Sequence, residues 1–271
     1  ERMLLIEILF YFASGFMAQL VDGSLGMGYG VVCTTLLISG GVGPALASGC
    51  THVSEVATAA ASGVSHFKLG NIRRDIVLPL ALSGVIGGAI GAALCVFLSA
   101  ESPIVFTILV SILLEDMGVL ILYRFIRRKG EPSTSPSHGE QGKKSSEDRV
   151  KPSWLSFLGL FSSFTDAIGG GGWGPIATPA IILEGVEPRK VVGSINLTEF
   201  FVTTVQAATF VVLLQTMRWD AAIALLIGGV IAAPFAALIC KKLPVRGLGS
   251  LIGITLIILS TRNILKAAGL I

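Results

Sequence analysis

Four acids, Asp22, Glu55, Asp166 and Glu199, sit inside long apolar stretches of this 271-residue chain. A charge at the bilayer centre costs about 3 kcal/mol on insertion scales, so acids placed there must be protonated, hydrogen-bonded or solvated in a cavity. Asp22 and Asp166 each stand just ahead of a glycine-rich run, where a carboxylate can cap the next helix or take part in ion passage. Glu55 and Glu199 lie mid-helix, where no cap is needed. Proton coupling or gating is the chemistry expected of them, with an interhelical hydrogen bond as the plain alternative.

The glycine runs are Gly26-Met27-Gly28-Tyr29-Gly30 and Gly170-Gly171-Gly172-Trp173-Gly174. Glycine allows positive φ and close approach of a ligand to the backbone. A glycine break between half-helices leaves N–H groups free, and the next helix offers its positive dipole end. Such a nest holds an anion without a buried cation. Close helix packing is the other use of these glycines. His52 and Asn196 lie three residues before the glutamates, hence on the same helical face, and both can donate to an oxyanion. A small anion bound by these residues, with protons passing through the four acids, is the expected site.

The elements that must position them follow from composition. Hydrophobic residues make up 52% and charged residues 14% of the chain, against roughly a quarter charged in soluble domains. The mean hydropathy is +0.80. Long apolar runs cover residues 3–21, 45–67, 76–100, 103–126, 191–214, 221–240 and 248–268. Shorter ones cover 30–39, 154–168 and 173–183, below the about 20 residues that a spanning helix needs. Short apolar pieces broken by glycine read as half-helices or re-entrant hairpins, tolerated where they line a cavity. The fold expected is an all-α polytopic membrane protein. No cleavable signal peptide is expected, because the first apolar stretch runs on into the glycine-rich segment. Residues 127–153, rich in Ser, Pro, Gly, Lys and Glu, read as a flexible linker between a first bundle, 1–126, and a second, 154–271.

The two bundles superpose at an offset of 144 residues. Asp22 falls on Asp166, Gly26, Gly28 and Gly30 on Gly170, Gly172 and Gly174, Thr34 on Thr178, Pro44 on Pro188, Gly49 on Gly193 and Glu55 on Glu199. This is an internal duplication. Equivalent loops carry opposite charge bias: 66–75 is basic where 211–220 is not, and 241–247 is basic where 98–103 is not. The repeats are therefore expected upside-down relative to each other, each with a broken helix plus three longer helices, an architecture of secondary transporters with a midplane site. All Lys and Arg except Arg2, Arg218, Arg262 and Lys266 then fall on the linker's side. By the positive-inside rule the linker is cytoplasmic and both termini are outside. That requires an even number of crossings, six or ten. Arg262 is expected to pair with Glu115 or Asp116, or else to snorkel outward.

The run from Asp22 through Gly30, followed by a short apolar stretch and Gly43-Pro44-Ala45, resembles the first-repeat signature of the TauE/SafE sulfite exporter family. Asp166 through Gly174, with Glu187-Pro188-Arg189 and Gly193-Ser194-Ile195-Asn196, resembles its second repeat. The resemblance covers nearly the whole chain apart from the linker. It implies a carrier of sulfite, organosulfonates or related sulfur-containing anions in the cytoplasmic membrane, coupled to protons or another gradient.

Other classes fit less well. Gly26-Met-Gly-Tyr-Gly30 is similar to a potassium filter, but such a filter needs four equivalent strands. An intramembrane enzyme using His52 with Glu55 lacks a His-Glu-x-x-His motif and a repeated nucleophile. Cys33, Cys50, Cys95 and Cys240 lie in apolar segments without metal-ligand spacing, so no metal site, disulfide or cofactor is expected. The expected partners are the lipid bilayer, the anion and protons, with no nucleic acid. Oligomeric state is not encoded in any pattern of the sequence.

Overall fold

A computed structural model describes residues 2–25, 27–127, 150–242 and 245–271. Gly26 and almost all of the expected linker lie outside the described residues. Among those described there are ten helices and no strand: α1 (Arg2–Leu25), α2 (Tyr29–Ser39), α3 (Pro44–Lys68), α4 (Arg74–Glu101), α5 (Pro103–Arg127), α6 (Pro152–Gly169), α7 (Trp173–Leu183), α8 (Pro188–Leu214), α9 (Trp219–Lys242) and α10 (Val245–Ala267). Prolines open α3, α6 and α8, where a missing N–H costs nothing. Among the described residues, five segments are long and apolar enough to cross a membrane: Leu4–Asp22, Arg74–Glu101, Pro103–Ile126, Pro188–Leu214 and Gly249–Ala267. The short helices α2 and α7, of 11 residues each, reach only about 16 Å at 1.5 Å per residue, half of a hydrocarbon core.

Helix faces are sorted as lipid contact requires. On α4, Leu78, Leu82, Ile86 and Ile90 are exposed, while Gly84, Gly87, Gly88 and Gly91 are buried. A Cβ on Gly87 would strike the Leu160 carbonyl, and one on Gly91 would come within 2.7 Å of the Phe164 carbonyl. Small residues of this kind let backbones approach where lipid supplies no hydrophobic drive between helices.

The packing follows the duplication. The long pairings are α1 with α9, α4 with α6, α3 with α8 and α5 with α10. The sequence repeat relates α1 to α6 and α4 to α9, so the first two pairs exchange while the other two map onto themselves. Individual contacts follow suit: Gly15 meets the Leu225 carbonyl, and its equivalent Gly159 meets the Leu80 carbonyl. Helices α3 and α8 run antiparallel, with Gly49 against Leu214 and Gly63 against Leu197. Helices α5 and α10 do likewise, with Gly118 against Leu256 and Gly249 against Phe125.

One expected contact is different. Glu115 Oε1 accepts from the Thr261 hydroxyl at 2.8 Å, and Arg262 Nη1 donates to the Ser39 carbonyl at 3.3 Å. Arg262 is exposed. The one-residue step from 261 to 262 turns the guanidinium about 100° around α10, away from α5.

Candidate functional site

Each glycine break ends one helix and starts another. Helix α6 closes at Gly170, which has φ 66°, and α2 opens after Gly28, which has φ 111°. Both values lie in the region that side chains rarely enter. The breaks pack on each other. A Cβ on Gly30 would lie 2.6 Å from the Gly170 carbonyl oxygen, and one on Gly171 would overlap the Val31 backbone nitrogen. Thr34 donates to that same Gly170 carbonyl at 2.9 Å and shares a hydrogen bond with Thr51 at 3.1 Å. Ser48 donates to the Ala167 carbonyl at 2.7 Å. Backbone from one half is thus seated on backbone from the other.

The two aspartates sit at the starts of the short helices. Asp166 Oδ1 accepts the Trp173 backbone N–H at 3.1 Å, and the Tyr29 backbone N–H faces the Asp22 carboxylate. The second Asp166 oxygen takes a hydrogen bond from Gln206 Nε2 at 3.0 Å. Capping is therefore a role of these acids, and the positive ends of α2 and α7 already meet carboxylates of the chain itself.

A pocket of about 20 Å³ lies at the junction, lined by Asp22, Met27, Gly28, Tyr29, Gly30, Glu55, Asp166, Gly171, Gly172, Gly174, Asn196 and Glu199, with Val31, Pro175 and Ile195. That volume suits about one water molecule. A vestibule of about 230 Å³ adjoins it, sharing Asp22, Tyr29, Glu55, Asn196 and Glu199 and adding Gln19, Thr58, Ser62 and His66. It extends toward the C-terminal end of α3 and the N-terminal end of α8. The opposite ends of these helices are packed shut around His52, Cys50, Thr51 and Phe210. All four membrane acids face this space, and among the described residues no Lys or Arg lines it.

Not every expected residue is in the wall. His52 is fully buried behind it, with Nδ1 3.7 Å from Glu55 and Nε2 3.7 Å from Asp166, both beyond hydrogen-bond length. The edge of its ring meets Phe210. Trp173 is buried, its indole N–H directed to the Ile195 carbonyl at 3.4 Å. Gly170 serves the interface between the breaks. Asn196 lines the pocket and donates to Ser62 at 2.7 Å. Two residues were not anticipated. Gln206 bridges Asp166 and the Ser163 carbonyl, and Arg124 Nη1 lies 3.0 Å from Met27 Sδ at the pocket's edge. Gln206 was detectable as a second amide, after Asn196, in the apolar helix α8; Arg124 was concealed by its place among the linker's charges.

The arrangement can exchange protons among carboxyls and hold a small polar solute. No group of three or more His, Cys, Asp or Glu that could hold a metal is found among the described residues. The model of the family described as sulfite exporter TauE/SafE matches residues 11–263. This chain belongs to the TauE/SafE family. It is 39% identical over 255 residues, 93% of its own length and 81% of the other's, to "Probable membrane transporter protein YtnM" of Bacillus subtilis (strain 168). No solved structure matches the chain. As a TauE/SafE protein it is a membrane transporter, and its duplicated glycine breaks and acids form the centre of the bundle.

Proposed function

We propose that this TauE/SafE protein is a secondary carrier of small sulfur-containing oxyanions, such as sulfite or organosulfonates, across the cytoplasmic membrane. Its two halves act as inverted repeats working by alternating access, with flux coupled to protons or another gradient. The observation that carries the reading is the convergence of Asp22, Glu55, Asp166 and Glu199 on one pocket at the two helix breaks. Acids from duplicated positions that face each other midway through a bundle are the usual equipment of proton relays in carriers. The antiparallel course of α3 against α8 supports inversion, since these helices are copies of each other.

Charge decides the coupling. An anion entering a space lined by four carboxyls and, among the described residues, no lysine or arginine is repelled unless protons accompany it. Asn196 and Ser62, which line the vestibule, then supply donors. Sulfur oxyanions are suggested by the family's description as sulfite exporters. The basic loops support an orientation with the linker and the vestibule's mouth on the cytoplasmic side and both termini outside.

The test is flux of radiolabelled sulfite into proteoliposomes, with sulfate, thiosulfate and small sulfonates as competitors. Saturable flux that rises with an imposed proton gradient supports the reading. Flux equal to that of protein-free liposomes for every sulfur anion sinks the substrate class, and non-saturating ohmic current sinks the carrier.

A further inference from the structure

His52 is a titratable ring that borders neither the pocket nor the vestibule. It is fully buried, and neither ring nitrogen has a hydrogen-bond partner among the described residues. A neutral imidazole carries one N–H and one lone pair, and leaving both unpaired in the interior is costly. The ring stands midway between two carboxyls, Nδ1 3.7 Å from Glu55 Oε2 and Nε2 3.7 Å from Asp166 Oδ2. An approach of about 0.8 Å on either side makes an ordinary hydrogen bond. Glu55 belongs to α3 of the first half and Asp166 to α6 of the second.

The two acids differ in access and in role. Glu55 borders both the pocket and the vestibule, whereas Asp166 borders only the pocket. Asp166 holds structure: Oδ1 accepts the Trp173 N–H that starts α7, and Oδ2 accepts from Gln206 Nε2 in α8. Gln206 Oε1 is itself buried without a partner among the described residues. The other titratable groups around the pair are Glu199 of α8 and Asp22 of α1 across the pocket, with Tyr29 and Cys33 of α2. Tyr29 shares a hydrogen bond with Ser54, and α8 meets the ring itself with Phe210.

We propose that His52 passes a proton between Glu55 and Asp166, so that protonation of the vestibule sets how firmly α7 is capped. The inference rests on the proton-coupled reading above. The Glu55 carboxyl gives its proton to Nδ1, and the proton on Nε2 goes to Asp166 Oδ2. Glu55 is left ionised, Asp166 neutral, and the imidazole neutral in its other tautomer. The same transfer run backwards restores the first state and consumes nothing. A neutral Asp166 accepts the Trp173 N–H less strongly than a carboxylate does. Its new O–H also opposes the Gln206 N–H. The Gln206 amide then turns over, its free Oε1 accepts the O–H, and the start of α7 and the middle of α8 loosen together.

Two measurements test this. In protein labelled with 15N-histidine and held in lipid nanodiscs without substrate, NMR reads the His52 tautomer from the signals lost in His52→Asn. Asparagine already stands at the equivalent position, 196, and an amide cannot pass a proton in this way. Glu55→Gln and Asp166→Asn should each change the ratio of Nδ1–H to Nε2–H forms about threefold to tenfold, the value of one hydrogen bond. A ratio unchanged in both overturns the relay and leaves the carrier reading standing. In proteoliposomes, the dependence of radiolabelled sulfite flux on an imposed proton gradient should be lost in His52→Asn and in His52→Gln. A dependence equal to the parent's in both overturns the relay even where the tautomer responds. Parent flux that ignores the gradient removes proton coupling itself, and the relay with it.

Discussion

Asp166 Oδ1 accepts the backbone N–H of Trp173 at 3.1 Å, across the glycine break that separates them by seven residues. The same carboxylate holds Gln206 through its other oxygen at 3.0 Å. Asp166 thereby joins the start of α7 to the middle of α8. Asp166→Ala removes the cap and leaves the buried Gln206 amide without this acceptor, an expected loss of about 1–3 kcal/mol. Asp166→Asn keeps one acceptor oxygen and should fall between. Thermal unfolding in detergent, followed by tryptophan fluorescence, ranks the three proteins. Equal melting temperatures would remove the structural role.

Gly30→Ala and Gly171→Ala should each deplete folded protein. In each case the added methyl meets backbone of the opposite break, which no side-chain rotation can clear. Overpacking of this kind costs about 1–3 kcal/mol. Gly43→Ala is the control, because its φ of −63° suits alanine and nothing lies within 4 Å of the new methyl. The fraction of monodisperse protein on gel filtration reports the difference. Recovery of Gly30→Ala at the Gly43→Ala level contradicts the packed interface.

Glu55→Gln and Glu199→Gln separate binding from coupling. Both carboxyls face the pocket and the vestibule, and an amide of the same shape cannot exchange a proton. Substrate flux should persist in at least one variant while its dependence on an imposed pH gradient collapses. A flux ratio between acid and neutral conditions unchanged from the parent in both variants would exclude these residues from coupling.

How far the sequence led is clearest at particular residues. Tyr29 and Trp173 open α2 and α7 where the glycine runs end, because glycine breaks and apolar runs are local signals. The pairing of Gly30 with Gly170 and Gly171 was implied by duplication, which constrains long-range geometry in a way that propensity does not. His52 was placed on the face of Glu55 by its spacing of three, and its Nδ1 lies 3.7 Å from that carboxylate, yet its ring is buried behind the wall with Asp166 and Phe210 as its other neighbours. Spacing fixes a helical face to within about 60°, not the rotamer. Arg262 failed to pair with Glu115 for a similar reason, since one residue of register decides which side chain crosses. The interactions of Arg124 and Gln206 depend on residues 97 and 40 positions away, a separation no window of sequence can bridge.

Arg124 gives the last test. Its guanidinium lies beside Met27 Sδ, and Met27 lines the small pocket. Arg124 has a further partner besides Met27, and the charge it shares at that edge attracts an anion before binding but takes no part in moving protons. Arg124→Gln should therefore raise KM for an anionic substrate about fivefold, the value of about 1 kcal/mol for one charge at short range in a wet site. Turnover at saturation should change little, and Arg124→Lys should restore most of the affinity. Added salt should narrow the gap between parent and variant, because screening weakens the attraction that the variant lacks. A loss of maximal rate at unchanged KM would assign Arg124 to the helix packing instead of to the capture of substrate.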